Sequence, residues 1–375
     1  MKIPRYYEKL ENYLEPNKAL LIFGPRQVGK TTLLNDFLKT TKLKYRLESG
    51  ENIRVQDILG SQDFDQIKEF VEGYELIAID EAQKIKNIGM GLKIIVDQIP
   101  GMKVIATGSS SFELLGQTGE PLTGRKRTIT LFPVAQLELK KLFNNYELKS
   151  ELAEYLIFGG YPAVATQVTK NKKVEILKEI VESYLLKDIL EFERVKGSKI
   201  IFNLLKLLAF QVGSQVSLSE LAQNIGVDHK TVGRYLSILE QSFIIYSVQG
   251  YSRNLRNEIT KKGKYYFYDN GIRNAVIFNF NELALRNDVG ALWENFIFME
   301  RLKKREYKGI YANAYFWRTW ERQEIDLVEE RDGKLYAYEF KWNKGNFKVP
   351  SQWAETYKDT SFEVINKENY LGFIL

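Results

Sequence analysis

The sequence predicts an α/β protein: a parallel sheet with helices on both faces, then a helical middle, then a smaller α/β region. Three observations predict it. The apolar run Ala19-Leu20-Leu21-Ile22-Phe23 leads into a Gly-rich loop and then a helix over 30–40 with Leu33, Leu34, Phe37 and Leu38 on one face. Strand and helix patterns then alternate over about 130 residues, as a parallel sheet requires. Past residue 288 a helix precedes short strands in which acidic side chains interrupt apolar ones.

Taken in order, residues 1–18 read as a short polar helix. Further strands are expected at 43–48, 75–80, 103–107 and 127–132, with an amphipathic segment at 89–98. From 146 to 193 the pattern is mainly helical, broken once by Gly159-Gly160-Tyr161-Pro162. A long helix is expected over 174–193, where Ile176, Ile180, Tyr184, Leu185 and Ile189 form a stripe, and Gly197-Ser198 marks a boundary. Residues 199–250 read as compact helices ending in β structure. No internal repeat or low-complexity tract is found.

Composition narrows the chemistry. Without cysteine there is no disulfide, no Cys-based zinc site and no thiol nucleophile, and the single histidine, His229, excludes a multi-His metal site. Any metal here is a hard cation held by carboxylates. Nothing at the N-terminus resembles a signal peptide and no apolar run reaches spanning length, so a cytoplasmic protein without a membrane partner is expected. The 54 Lys and Arg against 48 Asp and Glu leave +6, which permits nucleic-acid binding without demonstrating it.

Gly24-Pro25-Arg26-Gln27-Val28-Gly29-Lys30-Thr31 fits the P-loop pattern, and Thr32 continues it. The glycines let backbone N–H groups turn toward phosphate oxygens, and the helix N-terminus adds partial positive charge. Lys30 is expected on the β- and γ-phosphates of ATP, and Thr31 on Mg²⁺. Ile77-Ala78-Ile79 delivers Asp80 and Glu81 to a strand end, the Walker B arrangement: Asp80 for Mg²⁺ through water, Glu81 to polarise the attacking water. Thr107-Gly108-Ser109-Ser110-Ser111 follows the next strand and is expected to sense the γ-phosphate, Ser109 among the candidates; a plain helix cap is the alternative. Leu122-Thr123-Gly124-Arg125 offers Arg125 as a group for transition-state charge, in cis or on a neighbouring copy of a homo-oligomer.

These motifs together resemble a large group of prokaryotic AAA+ ATPases that join an N-terminal ATPase module to a poorly characterised C-terminal region. Gly159-Gly160-Tyr161-Pro162 and Tyr268-Asp269-Asn270-Gly271 fit the same pattern. The resemblance implies a hydrolysing site rather than a kinase.

In the middle, residues 218–227 read as a helix ending in a Gly turn, and Asp228 caps a second helix over 229–241, which is helix-turn-helix spacing. His229, Lys230, Thr231, Arg234 and Tyr235 fall where DNA contacts are made. The strands at 243–249 and 264–268 read as a wing, and Arg253, Arg256, Lys261, Lys262 and Lys264 as a basic stretch along it. A protein-packing role with a solvated basic loop is the alternative.

The C-terminal strands carry Glu324-Ile325-Asp326-Leu327-Val328 and Tyr338-Glu339-Phe340-Lys341-Trp342 across an Arg331-Asp332-Gly333-Lys334 turn. Glu339 and Lys341 share a face. Residues 290–342 resemble the PD-(D/E)xK nucleases, with Ile325 where a proline is usual. The resemblance implies that Asp326 and Glu339, joined by Glu294, hold Mg²⁺ or Mn²⁺ and that Lys341 orients or deprotonates water.

The expected architecture is an AAA+ P-loop core at 1–145, a helical lid at 146–197, a winged-helix module at 198–287 and a restriction-endonuclease-like α/β domain at 288–375. The expected function is an ATP-hydrolysing protein acting on DNA, branched or broken forms included, with a nuclease-like domain under nucleotide control. A nucleotide-dependent switch and a remodelling ATPase that does not cut are the rivals.

Overall fold

The computed structural model describes residues 2–109, 121–185, 198–252, 263–345 and 347–375, which divide into two compact units. Arg5–Phe132 with Gln241–Phe243 make one; Met1–Pro4, Pro133–Glu240 and Ile244–Leu375 make the other. Ser110, Ser111, residues 186–193 of the expected long helix, Gly197, and Arg253, Arg256, Lys261 and Lys262 lie outside the described residues.

The first unit is built on five parallel strands: β1 (Ala19–Phe23), β2 (Tyr45–Ser49), β3 (Leu76–Asp80), β4 (Lys103–Thr107) and β5 (Lys126–Thr130). Their order is β2-β3-β4-β1-β5. The central strands β1 and β4 and most of β3 are buried, as continuous apolar runs in a parallel sheet must be. Helices Ile53–Gly60 and Phe64–Val71, which the sequence reading leaves unassigned, follow β2; Asn52 and Asp63 cap them by accepting from Arg54 N–H and Gln66 N–H. Val55, Leu59, Ile67 and Phe70 join Leu92 and Ile95 of helix Ile88–Gln98 in the core against the sheet. Because all five strands run the same way, their carboxyl ends share one edge, where ligands of such sheets bind.

The second unit carries a mixed sheet in the order β12-β11-β10-β9-β7-β8-β6. Its strands are β6 (Gln215–Val216), β7 (Ile245–Gly250), β8 (Gly263–Phe267), β9 (Asn313–Arg318), β10 (Glu324–Arg331), β11 (Lys334–Phe340) and β12 (Ser361–Ile365). The helices Leu218–Ile225 and His229–Gln241 precede β7; the second has the bounds the sequence predicts, and the first stops at Gly226, which is left-handed. β7 pairs parallel with β9 through Gln249 and Gly250 opposite Tyr315 and Phe316, so one sheet runs from the wing strands to the carboxylate strands. β10 and β11 are antiparallel across Asp332 and Gly333, both left-handed, as a two-residue hairpin turn demands. Helix Val289–Lys308 is buried along much of its length, and its Asn295 brackets the end of β8, accepting from Phe267 N–H at 2.7 Å and donating to Phe267 O at 2.9 Å.

The two glycine motifs of this unit meet. Gly160 N–H donates to Asp269 Oδ2 at 2.7 Å, and Asp269 Oδ1 accepts from Ile272 N–H to cap helix Asn270–Val276. A Cβ on Gly159 would occupy the space of the Asp269 carboxylate, and one on Gly271 that of the Phe158 carbonyl. Both motifs are thus accounted for by close packing.

Candidate functional site

The Gly-rich loop leaves β1 at the carboxyl edge and re-enters as helix Lys30–Leu38. Gly24 has φ +143°, and a Cβ there would run into the Leu131 carbonyl, because Leu131 N–H donates to Phe23 O at 2.8 Å and holds that segment against the loop. Gly29 is left-handed at φ +95° and starts the helix. Lys30 is 5% exposed, and its ammonium donates to Gly24 O at 2.8 Å and Pro25 O at 2.7 Å. The amine is thus gathered under the loop whose N–H groups would cradle phosphate. Arg5, which the sequence reading passes over, donates to Val28 O and, at 2.6 Å, to Phe132 O. It ties the loop to the chain beyond β5, and no local pattern announces so distant a contact.

Asp80 ends β3 and is engaged through both oxygens. Oδ2 accepts from Thr31 Oγ1 at 2.8 Å and Oδ1 from the Thr107 hydroxyl. The expected Mg²⁺ pair, Thr31 and Asp80, is therefore brought together, and its hard oxygen donors suit that ion. Thr107 rather than Ser109 touches Asp80. Ser109 is buried and accepts from Gln83 Nε2 at 3.1 Å. The same amide donates to Glu81 Oε2 at 2.5 Å. Gln83, a site residue missed in the sequence, thus links the expected water-polarising acid to Ser109. Glu81 is left-handed at φ +52°, and its carbonyl passes so close to Gly50 that a Cβ at Gly50 would overlap it; Gly50 N–H donates to Asp80 O at 2.7 Å. Pro25 and Val28 are buried, Arg26 is intermediate, and Gln27 and Thr32 are exposed.

Arg125 stands away from the P-loop of its own chain. It precedes β5, Ala19 N–H donates to its carbonyl, and Ala19 pairs with Lys126, so it lies at the amino edge of the sheet. The P-loop leaves the other edge, five strand residues or about 16 Å away. Its guanidinium meets Asp97 at 2.5 Å and Thr123 O at 3.3 Å. A role in cis is excluded by the strand direction, which the sequence already implied: a residue before a parallel strand cannot share an edge with one after it.

The C-terminal acids gather around a residue that the sequence reading assigns to a wing. Lys264 on β8 has a side chain only 3% exposed; its ammonium lies 3.1 Å from Glu294 Oε1 and 3.5 Å from Asp326 Oδ1. Tyr266 OH donates to Glu294 Oε1 at 2.7 Å, and Phe340 N–H to Asp326 Oδ2 at 2.8 Å. Continuing the β10–β11 register from Leu327 opposite Tyr338 sets Asp326 across from Glu339, whose carboxylate meets Lys341 at 2.6 Å. Gly213, left-handed, packs so that a Cβ would crowd the Glu294 carboxylate. Burial, and then the charge of Asp326, push both Glu294 and Glu339 above the ordinary carboxylate range. Burial by itself would lower the Lys264 ammonium, but Glu294 and Asp326 outweigh it and hold the pKa above its ordinary value. Among the described residues no group of three or more His, Cys, Asp or Glu side chains is set to hold a metal ion. Glu294, Asp326 and Glu339 are neighbours, as expected, but as arranged they do not fit a divalent ion.

On helix His229–Gln241, Asp228 accepts from Lys230 N–H, Thr231 N–H and the Thr231 hydroxyl, and the Thr231 bonds foremost hold its carboxyl at about 2. His229, Lys230 and Arg234 are exposed, while Tyr235 is buried and so falls outside the expected contact face.

Comparison with known proteins agrees with the first unit. An AAA domain family matches residues 16–140, and two domains of unknown function, DUF8612 and DUF4143, match 149–283 and 289–369. The chain therefore carries a P-loop ATPase module of the AAA type. An uncharacterized protein of Mycobacterium tuberculosis is 26% identical over 341 residues, covering 89% of this chain and 72% of that one. One from Haemophilus influenzae is 26% identical over 396 residues, covering 99% and 92%. One from Methanocaldococcus jannaschii is 23% identical over 382 residues, covering 96% and 80%. Among solved structures, a Pif1 helicase at forked double-stranded DNA has a TM-score of 0.27 at 14% identity over 48% of this chain and 52% of its own. A signal transduction ATPase with a tetratricopeptide repeat sensor from Pyrococcus horikoshii has a TM-score of 0.25 at 12% identity over 76% and 43%. The chain spans about half the length of either structure. Among the described residues no helix is long and apolar enough to cross a membrane.

Proposed function

We propose that this chain is a Mg²⁺-dependent ATPase that acts on DNA, with a helical lid at 146–197, a winged helix at 198–287 and a nuclease-like domain at 288–375. The observation that carries the reading is the hydroxyl–carboxylate chain Thr31–Asp80–Thr107 beside the buried Lys30. Mg²⁺ supplies charge neutralisation to the phosphates when bound. The chain's own groups do the rest. Lys30 leaves the Gly24 and Pro25 carbonyls for phosphate oxygens, and Glu81, oriented by Gln83, accepts a proton from the attacking water. Thr107, on the Asp80 carboxylate, senses what Asp80 holds.

The DNA reading rests on exposed His229, Lys230 and Arg234 at the helix following the turn. Exposed Arg318, Arg322 and Lys344 add positive charge at the end of the sheet where Asp326 lies.

Steady-state ATP hydrolysis with and without duplex, single-stranded and forked DNA tests both. The reading expects Mg²⁺-dependent turnover, lost in Lys30→Ala and raised by DNA. Turnover that survives Lys30→Ala overturns the ATPase site, and neither binding nor stimulation by any DNA leaves the switch.

A further inference from the structure

We infer that the Lys264 ammonium is the cation of the Glu294–Asp326 cluster, standing where a nuclease-like reading puts a divalent metal, so that the folded chain binds no metal there. Both carboxylates are already answered. Glu294 Oε1 receives Lys264 at 3.1 Å and Tyr266 OH at 2.7 Å; Asp326 receives Lys264 on Oδ1 at 3.5 Å and Phe340 N–H on Oδ2 at 2.8 Å. The lysine is fixed in place. Its backbone pairs with Val248 in the sheet, and its ammonium lies 5.6 Å from the centre of the Phe316 ring. A divalent ion set between Glu294 and Asp326 would share their space with an ammonium, and like charges at contact distance in a buried site repel strongly. Displacing the lysine would strand its charge among Tyr266 and Phe316, both buried. Glu339 Oε2, buried and without a hydrogen-bond partner, is the oxygen left to meet an ion once the ammonium is gone.

The inference concerns the C-terminal cluster alone and stands or falls apart from ATP hydrolysis. Its test is Mn²⁺ binding to the full chain, without nucleotide, read by electron paramagnetic resonance. Asp80→Asn is the parent, to silence the P-loop site. The parent is expected to bind no Mn²⁺ at the cluster. Adding Lys264→Met is expected to gain one Mn²⁺ per chain, lost again when Asp326→Asn is added. Lys264→Arg, which keeps a cation, is expected to stay free of Mn²⁺. A parent that already binds an ion removed by Asp326→Asn overturns the inference, and that arm needs no lysine substitution to fold. So does a Lys264→Met protein that melts as a folded chain yet gains no ion, or a Lys264→Arg protein that binds one.

Discussion

Asp80 and Asp326 are both acids on strands of a packed sheet, and their surroundings differ in kind. Asp80 is answered by two hydroxyls, Thr31 and Thr107, neutral groups that serve a metal as readily as a carboxylate. Asp326 is answered by a backbone N–H and a buried ammonium. A carboxylate facing hydroxyls retains its charge for a ligand, whereas one facing an ammonium has spent it on the fold. Two sites that look equally catalytic in sequence are thus expected to respond differently to the loss of their acid.

The largest difference is expected in activity. Asp80→Asn or Lys30→Ala lowers ATP hydrolysis by roughly 10²-fold or more with the fold intact, since each removes charge aimed at phosphate or its metal. Asp326→Asn leaves hydrolysis near the parent rate. Steady-state turnover with matched circular dichroism checks both, and an equal loss from Asp326→Asn would break the contrast.

Stability should show the reverse. Lys264→Ala leaves Glu294 and Asp326 together in a buried site and is expected to cost about 3–5 kcal/mol. Urea unfolding measures it, followed in the second unit because the chain has two. A loss below about 1 kcal/mol would be the behaviour of an exposed pair instead.

A smaller effect belongs to Gly50→Ala. The added methyl meets the Glu81 carbonyl and is expected to cost about 1–3 kcal/mol while shifting the Asp80–Glu81 turn. Reduced melting temperature together with reduced turnover sharpens the contrast, because here the fold and the site are disturbed through the same atoms.

The smallest is Arg125→Ala. Its pair with Asp97 is about two-fifths exposed on the arginine side and is worth at most about 1 kcal/mol. Hydrolysis by the dilute chain should not change. A specific rate that rises with concentration in the parent and not in the variant would instead assign Arg125 to a neighbouring copy.

What was legible follows from the range of the interactions. The P-loop, β1, β4 and the helices Leu218–Ile225 and His229–Gln241 are set by local apolar periodicity and by glycine positions, which a sequence displays. Asp80 and Thr31 come together because parallel strands deliver their ends to one edge, a consequence of topology the pattern already contains. Arg5 and Gly50 were missed because each acts through a partner on another segment, and nothing in their own neighbourhood marks them; Gln83 stands two residues after Glu81, and its link to Ser109 on another segment is what the sequence does not display. Lys264 was misread for the same reason. Beside Lys261 and Lys262 it looks like one more solvated charge, and only the pairing of β7 with β9 brings its strand into the sheet of Asp326.

Mn²⁺ stoichiometry on the full chain with a non-hydrolysable ATP analogue tests the contrast most directly. The account predicts one ion per chain, lost in Asp80→Asn and retained in Asp326→Asn. A second ion that Asp326→Asn removes would contradict it.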